Sequence, residues 1–276
     1  MRVIKRDGSI QPFDENKVKE SMIRSGVDEG TAKTVLKEIK SRKFNTISTP
    51  QLYQLVYKLV SKYSNKYTAS IYSLKRSISN LGPSGYLFED FIARIFEFLG
   101  QKVKVRQTLP SLCVTHELDV VGNDFFVECK YHNEAGLGTN IRDVMYSYAR
   151  LLDLKDASRE KGYNFKTVWV ATNTRFSDDA IAYAEYWKVK LLGWRYPKNA
   201  SLSRLIDKNK LYPVTLLPSA GSYLIQKLSQ NNIILIKDFD NKTDNQLLSM
   251  GFTTEEINKL RYDWRQIIDA SSNIKY

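Results

Sequence analysis

No stretch of about 18 consecutive apolar residues occurs in the 276-residue chain, so a membrane span is not expected. The opening MRVIKRDGS lacks the apolar core of a signal peptide, which makes a cytoplasmic protein the expectation. Cysteine is scarce: Cys113 and Cys129 are far apart in sequence and read as reduced thiols, not as a disulfide framework. No low-complexity tract, fixed-period repeat or G-x4-G-K-S/T phosphate loop is present, and GLGT at 136–139 is too short to stand in for one. That argues against a motor ATPase.

What the chain does have is positive charge. Its net charge is +12, with 42% hydrophobic and 26% charged residues, a soluble composition with enough apolar content for packed cores. Residues 1–82 carry 16 Lys and Arg against 7 Asp and Glu; residues 83–200 carry 16 against 15, and 201–276 carry 10 against 8. The excess therefore sits in the first third. A polyanionic partner, either DNA or nucleotide phosphates, competes there with a merely solvated basic face.

Three segments are expected. In the first, residues 1–82, VIKR-DG-SIQPF reads as a short hairpin turning on Asp7-Gly8, and Asp14 as the N-cap of a helix from Glu15. Further helices are expected near 28–42, 49–61 (with Thr49-Pro50 as N-cap and N1) and 65–80. The break LGPSG opens the second segment, 83–199. There YLFEDFIARIFEFLG gives a helical apolar stripe, followed by extended KVKVRQTL, a hairpin over Glu117–His132, a helix over about 140–156, the strand KTVWVAT, a helix from Ser177 and the strand KLLGW. That order predicts a mixed sheet with helices on both faces. The third segment, 200–276, reads as short helices.

The hairpin carries the chemistry. Strand parity puts Phe126, Glu128 and Lys130 on one face and Cys129 on the other, while Glu117, Asp119 and Val121 share a face of the preceding strand. If Asp119 and Glu128 face the same way, two carboxylates and an ammonium converge, a donor set suited to Mg²⁺ or Mn²⁺ and phosphodiester hydrolysis. Two other readings stay open at this point: a hairpin whose Glu128 and Lys130 are simply ion-paired, and a zinc site of Cys113-x2-His116 with Cys129-x2-His132. Against zinc, a three-residue offset in a strand turns two side chains to opposite faces.

Asp119 followed by Glu128-Cys129-Lys130 resembles the PD-(D/E)xK nuclease superfamily. Downstream, VATNTRFSDDAIAYAEYWKVKLLGW is similar to the end of its Mrr-like restriction endonuclease branch, so that the likeness covers about 85–195. It implies a restriction-endonuclease-like fold and a Mg²⁺-dependent deoxyribonuclease with Asp119, Glu128, Lys130 and Glu89 as catalytic residues. Asp119 and Glu128 would be the metal ligands, and Glu117 has no assigned part. The proline that often precedes the aspartate is absent, and Glu128 stands where many members have Gln.

Val3, Lys5, Arg6, Asp7, Gly8, Phe13, Asp14, Lys17 and Val18, with ISTPQLYQLV and ASIYSLKR, resemble the ATP-cone, an allosteric nucleotide-binding domain. The resemblance covers about 1–80 and implies ATP or dATP as an allosteric ligand, with Val3, Lys5, Arg6, Lys17, Thr49 and Lys75 as binding residues. In the last segment, Gly251-Phe252-Thr253 between two helical stretches resembles a helix-hairpin-helix module, which contacts DNA or protein.

Together these readings give a multi-domain α/β protein with a mostly helical ATP-cone, a central nuclease-like mixed sheet and a small C-terminal helical domain. The expected function is a metal-dependent DNA endonuclease regulated by nucleotide. Two alternatives are a non-enzymatic, nucleotide-responsive DNA-binding regulator and a junction-resolving nuclease. A homodimer or higher homo-oligomer would let two sites cut two strands.

Overall fold

The computed structural model describes every residue except 6, 82–84, 134–136 and 275–276. It divides into two compact units, Met1–Ser77 with Val214–Tyr276, and Ile78–Pro213. Residues 214–276 thus fold with the N-terminal segment, where the sequence suggested a separate C-terminal domain beginning near 200.

In the first unit, β1 (Arg2–Ile4), β2 (Ile10–Pro12), α1 (Glu15–Arg24), α2 (Glu29–Ser41), β3 (Thr46–Ser48), α3 (Thr49–Tyr63), α4 (Lys66–Tyr72) and α5 (Leu74–Ser79) follow in chain order, α5 ending just inside the second unit. The strands form a sheet in the order β2-β1-β3, with β1 antiparallel to β2 and parallel to β3. The Asp7-Gly8 turn is built as the dipeptide requires. Gly8 takes φ +81°, and the Asp7 carboxylate accepts from the Ser9 N–H and hydroxyl. Asp14 caps α1 as expected. The cap of α3 is Ser48, one residue earlier than the Thr49-Pro50 reading, and Gln51 completes a capping box. The single helix expected over 65–80 is two, α4 and α5, separated at Ser73. Val35, Leu36, Ile39, Val56, Leu59 and Val60 supply the core between α2 and α3.

The second unit continues with α6 (Tyr86–Phe98), β4 (Lys104–Pro110), β5 (Thr115–Val121), β6 (Phe125–Lys130), β7 (Gly138–Thr139), α7 (Ile141–Asp156), α8 (Ser158–Lys161), β8 (Thr167–Thr172), β9 (Arg175–Phe176), α9 (Asp178–Trp187), β10 (Lys190–Leu192) and α10 (Leu202–Asn209). Five strands form the main sheet in the order β10-β8-β6-β5-β4. The β4, β5 and β6 strands are antiparallel, whereas β6, β8 and β10 run parallel. One face is covered by α6, whose Phe96 meets Phe125 and Trp169 at 5.2 and 5.4 Å between centroids. The other carries α7 and α9, where Val144, Leu151, Leu154, Ala180 and Ala184 bury Phe126, Val168 and Val170. This is the mixed sheet with helices on both faces that the element order predicts.

After a short 3-10 turn at Val214–Leu216, the first unit resumes with α11 (Ser222–Gln230), α12 (Ile236–Asp240), α13 (Asp244–Ser249) and α14 (Thr254–Ser271). The α14 helix lies along α4. Its end also reaches the turn after α1: a Cβ added at Gly26, which has φ +82°, would come 3.1 Å from the Ala270 carbonyl oxygen.

Candidate functional site

Two places gather functional side chains, one in each unit. In the second unit, β5 and β6 pair only at Val120↔Val127 and Val121↔Phe126, then part. In place of continued ladder bonds, the Asp119 carboxylate accepts the Cys129 N–H at 2.6 Å. The Glu117 carbonyl accepts from Arg150 of α7 at 3.1 Å. The splayed strands are what let a carboxylate enter the sheet edge-on with its backbone partners still satisfied.

Across the gap, Glu128 is 5% exposed and fully engaged by cations. Its Oε1 accepts from Lys130 Nζ at 2.9 Å and its Oε2 from Arg150 Nη1 at 2.6 Å. Lys130 Nζ also stands 4.0 Å from Asp143. Among the described residues Asp119 has no comparable cationic partner. Burial, then the charges of Glu128 and Glu89, push its carboxyl up to about 7, against the Cys129 N–H bond and the Lys130 charge. Burial and Glu128 act in opposite directions on Lys130, and the net shift is upward.

Glu89 sits in the first turn of α6 with Arg106, whose Nη1 is 3.3 Å from Glu89 and whose Nη2 is 2.8 Å from Asp90. Arg106 has φ +51°, a costly backbone for a non-glycine residue, at the one β4 position that the ladder with β5 skips, opposite Asp119. Burial, partly offset by Arg106, raises the Glu89 carboxyl, and the charges of Asp90 and Glu117 add to the rise.

The charges of Glu128, Glu89 and Lys130 all act on Asp119, and Lys130 bonds Glu128 directly. Sequence reasoning missed Arg106 and Arg150, whose strands and helix gave no local sign of pointing here.

As a metal site, the donor set is two carboxylates from parting strands, with Glu89 beyond. Among the described residues no group of three or more His, Cys, Asp or Glu is spaced to hold an ion. The hard oxygen donors and the crowding of negative charge around Asp119 fit Mg²⁺ or Mn²⁺, which need only one or two protein carboxylates beside water and phosphate. The zinc alternative fares worse. His116 bonds Asp153 at 2.6 Å with Cys113 beside it at 4.0 Å, whereas His132 lies against Thr139 at 3.1 Å. Burial and neighbouring carboxylates push the Cys129 thiol up, opposite to what a thiolate ligand needs.

In the first unit, a cavity of about 750 Å³ opens between the small sheet and α1, α3 and α4. Val3, Lys5, Lys17 and Thr49 line it, four of the six residues expected for nucleotide binding. Thr49 donates to the Ile4 carbonyl at 3.2 Å and Lys17 pairs with Asp14 at 3.2 Å. Lys75 is not among the residues lining this cavity, and Arg6 lies outside the described residues. Tyr53 and Tyr72, stacked at 5.4 Å, also line it; they lie in the ISTPQLYQLV and ASIYSLKR stretches that resemble the ATP-cone, but were not expected as binding residues.

Residues 1–81 match the ATP cone domain. The N-terminal segment is an ATP cone. That assignment makes the cavity the nucleotide-binding candidate and implies regulation by nucleotide. Over 181 residues the chain is 29% identical to an uncharacterised protein of Archaeoglobus fulgidus, a stretch that is 64% of this chain and 99% of that relative. The crystal structure of AF1548, a protein of unknown function, is 29% identical and superposes with a TM-score of 0.53 over 68% of this chain and 97% of its own. No helix among the described residues is long and apolar enough to cross a membrane.

At the C-terminal end, Gly251 takes φ +86° in the turn between α13 and α14, as a helix hairpin needs. Phosphate contact is disfavoured at this turn. In a capping box the Glu256 carboxylate accepts the Thr253 N–H and the Thr253 hydroxyl accepts the Glu256 N–H, and Glu255 adds a second negative charge there.

Proposed function

We propose that the second unit is a metal-dependent DNA endonuclease of the PD-(D/E)xK type, and that ATP or dATP in the cone regulates it. The observation that carries this reading is the meeting of Asp119 with Glu128 and Lys130 where β5 and β6 part. In it Asp119 and Glu128 would hold Mg²⁺ or Mn²⁺. Such an ion, when bound, polarises a phosphoryl oxygen and makes water a stronger nucleophile at neutral pH. Lys130 Nζ orients the attacking water and offsets charge growing on the phosphate, a role that requires it to leave Glu128 Oε1. Arg150 keeps Oε2 and so fixes the Glu128 carboxylate while Lys130 moves. Glu89, tethered by Arg106, would be the further carboxylate available to such an ion.

One observation favours a second reading, a nucleotide-responsive DNA-binding protein without catalysis. Both Glu128 oxygens are already neutralised by cations of the chain. It predicts DNA binding with no cleavage in Mg²⁺ or Mn²⁺. The deciding experiment incubates the full chain and Lys130→Ala with plasmid, linear duplex and four-way junctions, with Mg²⁺ or EDTA and with or without ATP and dATP. The nuclease reading expects Mg²⁺-dependent nicking that Lys130→Ala abolishes. Equal cleavage by both proteins, or none by either, removes it.

A further inference from the structure

The α7 surface beside the candidate centre carries a pattern that the two-carboxylate reading does not use. Arg142, Tyr146 and Arg150 are four residues apart, so they form one stripe along the helix. Tyr146 is 53% exposed, a large ring left in water. One of its faces is covered by Arg150, whose guanidinium carbon lies 4.5 Å from the ring centroid and whose Nη2 donates to the Tyr146 hydroxyl at 3.2 Å. Arg150 is itself fixed by Glu128 and by the Glu117 carbonyl. The ring is thus held in place by the same groups that form the centre, with its solvent side open.

We infer that Tyr146 is a stacking platform for an unpaired nucleotide next to the scissile phosphate, so that the substrate class is DNA with a single-stranded or forked element at the cut. This rests on the nuclease reading and names its substrate. A ring ordered in advance loses little rotamer freedom on stacking, and an aromatic face accepts any base. Within a duplex both faces of each base are covered by neighbours, and a protein in either groove meets only base edges. An exposed ring therefore gains a stacking partner only where a base is unpaired. Arg142, exposed one turn before Tyr146, supplies charge for the phosphate on the far side of that nucleotide.

The test measures binding, not cleavage. Full-length protein in EDTA is titrated into a forked duplex and a fully paired duplex of equal length, the fork carrying 2-aminopurine at its first unpaired position. Wild type is expected to favour the fork and to quench the probe. Tyr146→Ala should lose roughly 5- to 100-fold of fork affinity with duplex affinity unchanged, the range that one base–aromatic stack is worth. Tyr146→Phe should retain most of the preference, and melting temperatures equal to wild type would show that both variants fold. A fork-to-duplex ratio unchanged in Tyr146→Ala overturns the inference while leaving the nuclease reading intact. The same holds if that ratio is unchanged and the variant instead alters sedimentation, which would make the patch a contact with a second copy. Absence of binding to any DNA removes both.

Discussion

Asp263 is the sharpest handle on how the C-terminal helices join the ATP cone. It is 1% exposed on α14. Its Oδ1 accepts from the Tyr67 hydroxyl of α4 at 3.2 Å, and its Oδ2 accepts from the Ser219 N–H at 2.8 Å and from the Ser219 hydroxyl. Lys66 Nζ stands 3.9 Å away and is half exposed, so it contributes little. Hydrogen bonds to a charged acceptor contribute about 1.5–3 kcal/mol each, and they do not add fully within one network. Asp263→Ala removes three of them, leaves the buried Tyr67 hydroxyl and the half-buried Ser219 N–H and hydroxyl without this acceptor, and should cost about 3–5 kcal/mol. Asp263→Asn keeps the volume but turns an NH₂ group toward donors, so it should be nearly as damaging. Urea unfolding of the full chain gives the total. Hydrogen exchange locates it: protection should fall over Lys66–Tyr72 and residues 214–271, with the β4–β6 sheet unaffected. A loss below about 1 kcal/mol, or an Asn variant as stable as wild type, would refute the account of Asp263 as the tie between α4 and α14.

Two further outcomes test other parts of the fold. Tyr53→Ala should weaken ATP binding by calorimetry about 2- to 10-fold, the worth of an aromatic stack, whereas Lys75→Ala should leave it unchanged; equal losses would move the nucleotide away from the cavity. Burial pushes the Asp207 carboxyl up to about 7, against a hydrogen bond from Tyr212 and the charge of Lys210. A carboxyl whose folded pKa is raised holds its proton more tightly in the folded state. Stability should therefore fall as pH rises from about 4 to about 7, by about 2–4 kcal/mol, and stay level above that. Asp119 is raised over the same window, so Asp207→Asn should reduce that slope without abolishing it in pH-dependent denaturation, and an unchanged slope would assign it to other groups.

Much of this protein is written in local pattern. The Asp7-Gly8 turn, the Asp14 cap, the apolar stripe of α6 and the alternation in β6 depend on residues a few positions apart, so the sequence alone specifies them. The match to the ATP cone likewise lies in one contiguous stretch, residues 1–81. The Asp–Glu–Lys set was proposed from the same kind of local pattern, since strand parity decides which side chains of one strand share a face.

Long-range choices were not legible. Nothing near Arg106 or Arg150 in the chain signals a carboxylate partner 16 or 22 residues away, and both are placed by the packing of α6 and α7 on the sheet. The parting of β5 from β6 depends on a side chain replacing a ladder bond, which propensity cannot foresee. The C-terminal helices read as an independent domain because each is locally amphipathic. Tertiary contacts decide that they fold with the cone, among them the buried Asp263 carboxylate, satisfied by Tyr67 across 196 residues, and the end of α14 against Gly26.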